Sequence, residues 1–163
     1  MRHVFWIDPE KVAGRPGPIE APWCLQELRR GGFDVVLSVA SDLFPHSDMV
    51  GTGLSRRCIP FPDVVPPDRH TISLCRANLQ LTLDLISANV DQGRGVLVHC
   101  AGGKDRTGLV LAHYLAKREN LAATEAIRKL RAIRPEALSA EGWEEMALEL
   151  IDNSNGRSSE AAR

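Results

Sequence analysis

Residues 96–108 read VLVHCAGGKDRTG, and this run holds most of what could do chemistry. It places a thiol, Cys100, directly after an apolar stretch. Two glycines follow, then Lys104, Asp105 and Arg106. Val96–Val98 is predicted as a buried strand, and a strongly apolar helix is predicted from about Thr107 to Arg118. The start of a helix presents unpaired N–H groups and the positive end of the helix dipole. Glycines between strand and helix let successive N–H groups curl around one point and make a nest for an anion. Arg106 can add a planar, two-pronged contact to phosphate oxygens. The same field favours the thiolate of Cys100, so one loop offers a nucleophile together with a cradle for a tetrahedral oxyanion.

Three plainer readings compete. A nucleotide-binding loop of the Gly-Lys-Ser/Thr type requires a hydroxyl after the lysine, but Gly103-Lys104 is followed by Asp105. Cys100 could be an inert buried thiol, as most free cysteines are. The loop could also hold phosphate without reacting, which leaves Cys100 unexplained.

The elements that must position this loop alternate strand and helix. Strands are predicted at Val4–Ile7, Asp34–Ala40 and about Arg57–Phe61. A helix is predicted from Pro22 to Arg30, stopped by Gly31-Gly32. The stretch AGRPGP, residues 13–18, reads as broken by glycine and proline. Apolar positions Ile72, Cys75, Leu79, Leu83, Ile86 and Val90 recur at helical spacing and predict an amphipathic helix over about Asp68–Asn89. Two more helices are predicted near 123–133 and 140–151, the last with Trp143, Met146, Ala147 and Leu150 on its buried face. The expected fold is α/β in three layers, a central, mostly parallel twisted sheet flanked by helices. It forms one domain over residues 1–152, with a polar, irregular tail at 153–163.

His99-Cys100-Ala-Gly-Gly-Lys-Asp-Arg106-Thr107-Gly108 resembles the HCx5R[ST]G signature of cysteine-dependent phosphatases, the tyrosine and dual-specificity superfamily. Phe61-Pro62-Asp63 resembles the acid loop of that family. Arg134-Pro135 resembles the turn before the last helix of its small dual-specificity members. The resemblance implies roles. Cys100 attacks phosphorus and forms a phosphocysteine. Arg106 clamps the equatorial oxygens. Ala101, Gly102, Gly103, Lys104, Asp105 and Arg106 line the substrate cradle. His99 supports the loop from behind. Thr107 donates a hydroxyl hydrogen bond to the sulfur, or else caps the helix.

Asp63, 37 residues before Cys100, is the expected general acid, and Asp68 and Asp105 are alternatives. Larger tyrosine-specific members of the family position the hydrolytic water with a glutamine far downstream of the cysteine. None follows Arg134, so the resemblance to the small dual-specificity members implies that Asp63 also returns as the base that activates water. The implied reaction is hydrolysis of phosphoric monoesters on phosphotyrosine, phosphoserine or phosphothreonine in proteins. A phosphoinositide phosphatase of the same mechanism and a non-catalytic phosphate-binding module are the alternatives. Lys104 at the rim would suit a substrate with more than one phosphate. No metal and no cofactor are expected.

Composition narrows the classes further. The 163 residues carry 20 Lys+Arg against 21 Asp+Glu, a net charge of −1, which disfavours a dedicated nucleic-acid binder. No apolar run approaches a membrane span, and the N-terminus MRHVFWIDPEK lacks a signal-peptide pattern. The four cysteines, 24, 58, 75 and 100, have neither zinc nor disulfide spacing, and Cys24, Cys58 and Cys75 are expected as small buried hydrophobes. A cytoplasmic monomer is the expectation.

Overall fold

The computed structural model describes residues 1–41 and 49–160. Its strands are β1 (Phe5–Asp8), β2 (Val12–Arg15), β3 (Phe33–Ser38), β4 (Ser55–Cys58) and β5 (Gly95–His99). Its helices are α1 (Leu25–Arg30), α2 (Arg69–Asp91), α3 (Asp105–Glu119), α4 (Ala123–Ile133) and α5 (Trp143–Glu160). The sheet runs β1-β2-β5-β3-β4. Only β1 and β2 are antiparallel; the other neighbours are parallel. The three-layer, mostly parallel α/β fold anticipated from the sequence is the one observed.

β5 lies at the centre and is buried along its whole length, as the continuous apolar run GVLV requires of a strand covered on both faces. Its side chains alternate between two cores. Val96 and Val98 join the larger, which α2, α3, α4 and α5 cover, while Leu97 joins the smaller, beneath α1. The layers are therefore unequal, with one short helix on one face and four on the other. Leu97 packs there with Ala13, Leu28, Phe33 and Val36.

β2 is a strand that the sequence reading took for an irregular stretch. It is short, contains Gly14 and runs straight into Pro16-Gly17-Pro18. Pairing on both sides makes it a strand: β1 returns onto it antiparallel, and β5 takes it in parallel register. Gly14 is needed because a Cβ there would stand 2.4 Å from the Phe5 ring and 2.8 Å from a Leu111 methyl. Arg15, the last residue of β2, is 3% exposed. Its guanidinium donates to the carbonyls of Pro16 and Ala21, and burial lowers its pKa to about 10.

α5 also departs from expectation. It begins at Trp143 and continues to Glu160, past Asn153, where small polar residues predicted an irregular tail. Tertiary contacts override that composition. Ser154 Oγ pairs with buried His113, Lys117 Nζ donates to the Ser154 carbonyl, and Asn155 Nδ2 donates to the Leu121 carbonyl. Residues 161–163 lie outside the described residues. So do Asp42 and His46, two polar residues that follow the Asp34–Ala40 run in the sequence.

The register fixes where the chemistry can sit. Arg15, Ser38, Cys58 and His99 stand in one row across β2, β3, β4 and β5. Four parallel strands thus end at one edge, where open α/β sheets place their sites. The smaller core is testable on its own. Leu97→Ala, at a fully buried position, is expected to cost about 2–5 kcal/mol in urea unfolding. A loss under about 1 kcal/mol would mean that the face beneath α1 is not a packed core.

Candidate active site

The loop from Cys100 to Lys104 leaves the end of β5 and enters α3 at Asp105. Each peptide unit here is planar and trans, so a carbonyl aimed one way turns the following N–H the other way. The carbonyl of Ala101 accepts from Gly17 N at 2.7 Å. The carbonyl of Gly102 accepts from Arg134 Nη2 at 3.1 Å. The carbonyl of Lys104 accepts from Gly108 N and Leu138 N at 3.0 and 3.3 Å. Three separate segments therefore hold the loop's oxygens from outside and leave the amides of Gly102, Gly103 and Asp105 facing away from them.

Two glycines make this geometry possible. Gly103 has φ +63°, and a Cβ there would meet the Arg15 carbonyl group at 2.7 Å. Gly17 passes so close that its Cβ would stand 2.5 Å from the Cys100 oxygen. Of the residues expected to line the cradle, Gly103 and Arg106 are buried, while Ala101, Gly102, Lys104 and Asp105 are part-exposed. Cys100 is 2% exposed and counts among the residues of the larger core.

Arg106, in the first turn of α3, is 8% exposed. Its Nη2 lies 3.0 Å from Asp63 Oδ2, and the Asp63 side chain is 66% exposed. The structure thus brings together two residues that stand 43 apart in the chain. The other two acid candidates are engaged elsewhere. Asp68 is the N-cap of α2, its Oδ1 accepting from Thr71 N at 2.7 Å. That N–H holds its carboxyl below the ordinary aspartate range, which makes it a poor proton donor. Asp105 Oδ1 accepts from Ala140 N at 3.0 Å and ties α3 to the segment before α5.

His99 is fully buried, and its Nδ1 lies 3.2 Å from the Cys100 carbonyl oxygen. A carbonyl only accepts, so this contact requires the proton on Nδ1. The Trp23 ring meets the imidazole edge-on at 4.7 Å. Burial, with the charges of Arg56, Arg15 and Arg106, lowers the pKa of His99 to about 4, so the ring is neutral. Arg56, one of these charges, is itself 9% exposed.

Thr107 differs from both of its expected roles. Its Oγ1 is buried with no hydrogen-bond partner among the described residues, so the bond to the Cys100 sulfur is not made. Nor does it cap the helix, since α3 already starts at Asp105 with Lys104 as N-cap. The other thiols also need correcting. Cys24 and Cys58 are exposed, and only Cys75 is buried as expected, its thiol pushed up to about 12 by burial.

Sequence reasoning missed three supports of the site. Arg15 holds the Pro16–Ala21 segment against the loop. Arg134 reaches Gly102, although its Arg-Pro pair was noticed only as a resemblance. Trp143 Nε1 donates to the Val64 carbonyl at 3.1 Å, beside Asp63. Among the described residues, no group of three or more His, Cys, Asp or Glu side chains could hold a metal ion. No helix among them is long and apolar enough to cross a membrane.

A parallel-strand edge that delivers a cysteine into an amide-lined loop closed by an arginine defines the class of cysteine-dependent phosphatase domains. Residues 21–150 match the family model described as dual specificity phosphatase, catalytic domain, and the chain belongs to that family. It is 32% identical over 141 residues to human dual specificity protein phosphatase 12, an alignment that covers 85% of this chain and 38% of that protein. The chain thus spans about two fifths of the length of the curated relatives it matches. Among solved structures it is similar to Tk-PTP in the active form, with 28% identity, a TM-score of 0.75, and coverage of 93% of this chain and 97% of that one. PTPMT1 in complex with PI(5)P shares the fold at a TM-score of 0.76 and 18% identity, with 96% and 99% covered.

The neutral histidines give a pH dependence. His99 and His113 are both buried, and desolvation lowers each to about 4. An unfolded chain would protonate them near pH 6.5, so as pH falls the unfolded state binds more protons and stability drops. The urea midpoint is expected to decline between about pH 6.5 and about 4, a window set mainly above the carboxylate range. A flat midpoint across that window would refute the buried neutral state of both rings.

Proposed function

We propose that this domain hydrolyses phosphoric monoesters through a phosphocysteine intermediate, acting on phosphotyrosine, phosphoserine or phosphothreonine in proteins. The observation that carries the reading is the meeting of Asp63 and Arg106 at 3.0 Å over a loop whose carbonyls are tied back from outside. Arg106 and the freed amides accept the phosphoryl oxygens and stabilise charge that grows in the transition state. The Cys100 thiolate attacks phosphorus while Asp63, protonated, gives its proton to the departing oxygen. Water then attacks the phosphocysteine, Asp63 takes a proton from it, and inorganic phosphate leaves as the thiolate returns. The residues need no metal in any of these steps.

The rim supports a protein substrate. A Cβ on Gly102 would stand 3.6 Å from both carboxylate oxygens of Glu20, so a negative charge sits beside the cradle and opposes Lys104. Each further phosphate that a headgroup brings to the rim adds repulsion from that carboxylate, so a side chain with one phosphate is opposed less. Phosphotyrosine and phosphothreonine peptides are expected to turn over faster than phosphoinositides, and the reverse order would favour the lipid reading.

Cys100→Ser is expected to lower turnover of an aryl phosphate by at least about a thousandfold, with EDTA present throughout. Phosphate binding without turnover in the intact protein would point to a recognition module instead. Asp63→Asn is expected to slow phosphotyrosine peptide hydrolysis by about a hundredfold. An aryl phosphate with a strongly acidic phenol needs little protonation and should lose under about tenfold. Equal losses on both substrates would remove Asp63 from the acid role.

A further inference from the structure

The acid loop does not carry its own support. Asp63, Val64 and Val65 are exposed, and no regular element contains them. Upstream, the loop is fixed by Phe61, which is buried in the larger core and whose N–H donates to the Val39 carbonyl at 3.1 Å. Downstream, it rests on the start of α5. Gly142 has φ +79°, and a Cβ there would stand 2.9 Å from Pro67 Cδ and 3.2 Å from Pro66 Cβ. Between these anchors, apart from the Asp63–Arg106 ion pair, the indole N–H of Trp143 holds the Val64 carbonyl and so the backbone beside the carboxylate. Trp143 is fully buried, so its donor is held rigidly by the core.

The segment that carries Trp143 also reaches the phosphate loop. Arg134 donates to the Gly102 carbonyl, Leu138 N donates to the Lys104 carbonyl, and Ala140 N donates to Asp105. One strap, Arg134–Trp143, therefore touches both halves of the site. From this geometry we infer that Trp143 is a positioning residue for the general acid, and that the α4–α5 strap sets where Asp63 stands relative to the Cys100 loop. The inference rests on the phosphatase reading for its catalytic consequence, but the anchoring itself can be measured without turnover.

Trp143→Phe keeps an aromatic ring in the core and deletes the donor. In the full chain it is expected to slow a phosphotyrosine peptide about tenfold and an aryl phosphate with an acidic phenol less than about twofold, because only the first depends on the acid. In an Asp63→Asn background it should add nothing further on the peptide. Independently of activity, backbone 15N order parameters at Asp63, Val64 and Val65 should fall from the rigid range, about 0.85, toward about 0.6, while Ala101–Arg106 stay rigid.

Equal losses on both substrates, or a loss that adds to that of Asp63→Asn, would reduce Trp143 to general packing and overturn the inference. Unchanged order parameters in the acid loop would do the same. If the wild-type chain turns over neither substrate, the phosphatase reading fails, and the order parameters alone decide the anchoring. Should Trp143→Phe not fold, Gly142→Ala displaces the same seat through Pro67 and is held to the same pattern.

Discussion

The site depends on where the carbonyls of one short loop go. A row of inward N–H groups exists only if the oxygens of the same peptides find donors on the other side. Here those donors come from separate parts of the chain: Gly17 after β2, Arg134 at the end of α4, Leu138 in the following turn and Gly108 within α3. Losing the Gly17 or Arg134 bond would leave the Ala101 or Gly102 carbonyl without that partner and free its peptide to rotate, which would turn the following N–H away. The layered fold serves this need. Ending β2 and β5 at the same register brings Gly17 beneath the loop, and packing α4 and α5 against α3 brings Arg134 and Leu138 to its flank.

This arrangement also separates what a sequence shows from what it hides. The loop itself is consecutive, so residues 99–108 display the cysteine, the glycines and the arginine without any tertiary knowledge. β5 and α2 were legible because burial on two faces and helical periodicity both leave strong patterns. β2 left none, since four residues containing a glycine and an arginine look like a turn until a neighbour pairs with each edge. Asp63 was singled out by its resemblance to a family loop, and its nearness to Arg106 needed the fold. The supports were less legible still. Trp143 was placed correctly in the core, but nothing in a buried helical stripe says that its indole N–H points at Val64. Asp105 reads as a loop carboxylate and proves to be a tie to Ala140. Thr107 reads as a donor to the sulfur or a cap, and it is buried as the third residue of α3, where it does neither.

The charge around the loop follows the same division between residues that react and residues that hold. Arg15, Arg56 and Arg106 are all buried, and all three charges act on His99. A guanidinium keeps its proton across the physiological range, and even Arg15, lowered to about 10, stays charged at neutral pH. His99 stands among them but cannot join them, because burial and their own charge keep it neutral down to about pH 4. The positive charge around the loop is therefore supplied by guanidinium groups and not by the imidazole. The one histidine in the signature contributes a fixed N–H on the Cys100 carbonyl instead of a variable charge. Asp63 differs from these buried groups: its carboxylate is exposed and lies beside Arg106 at the edge of the loop.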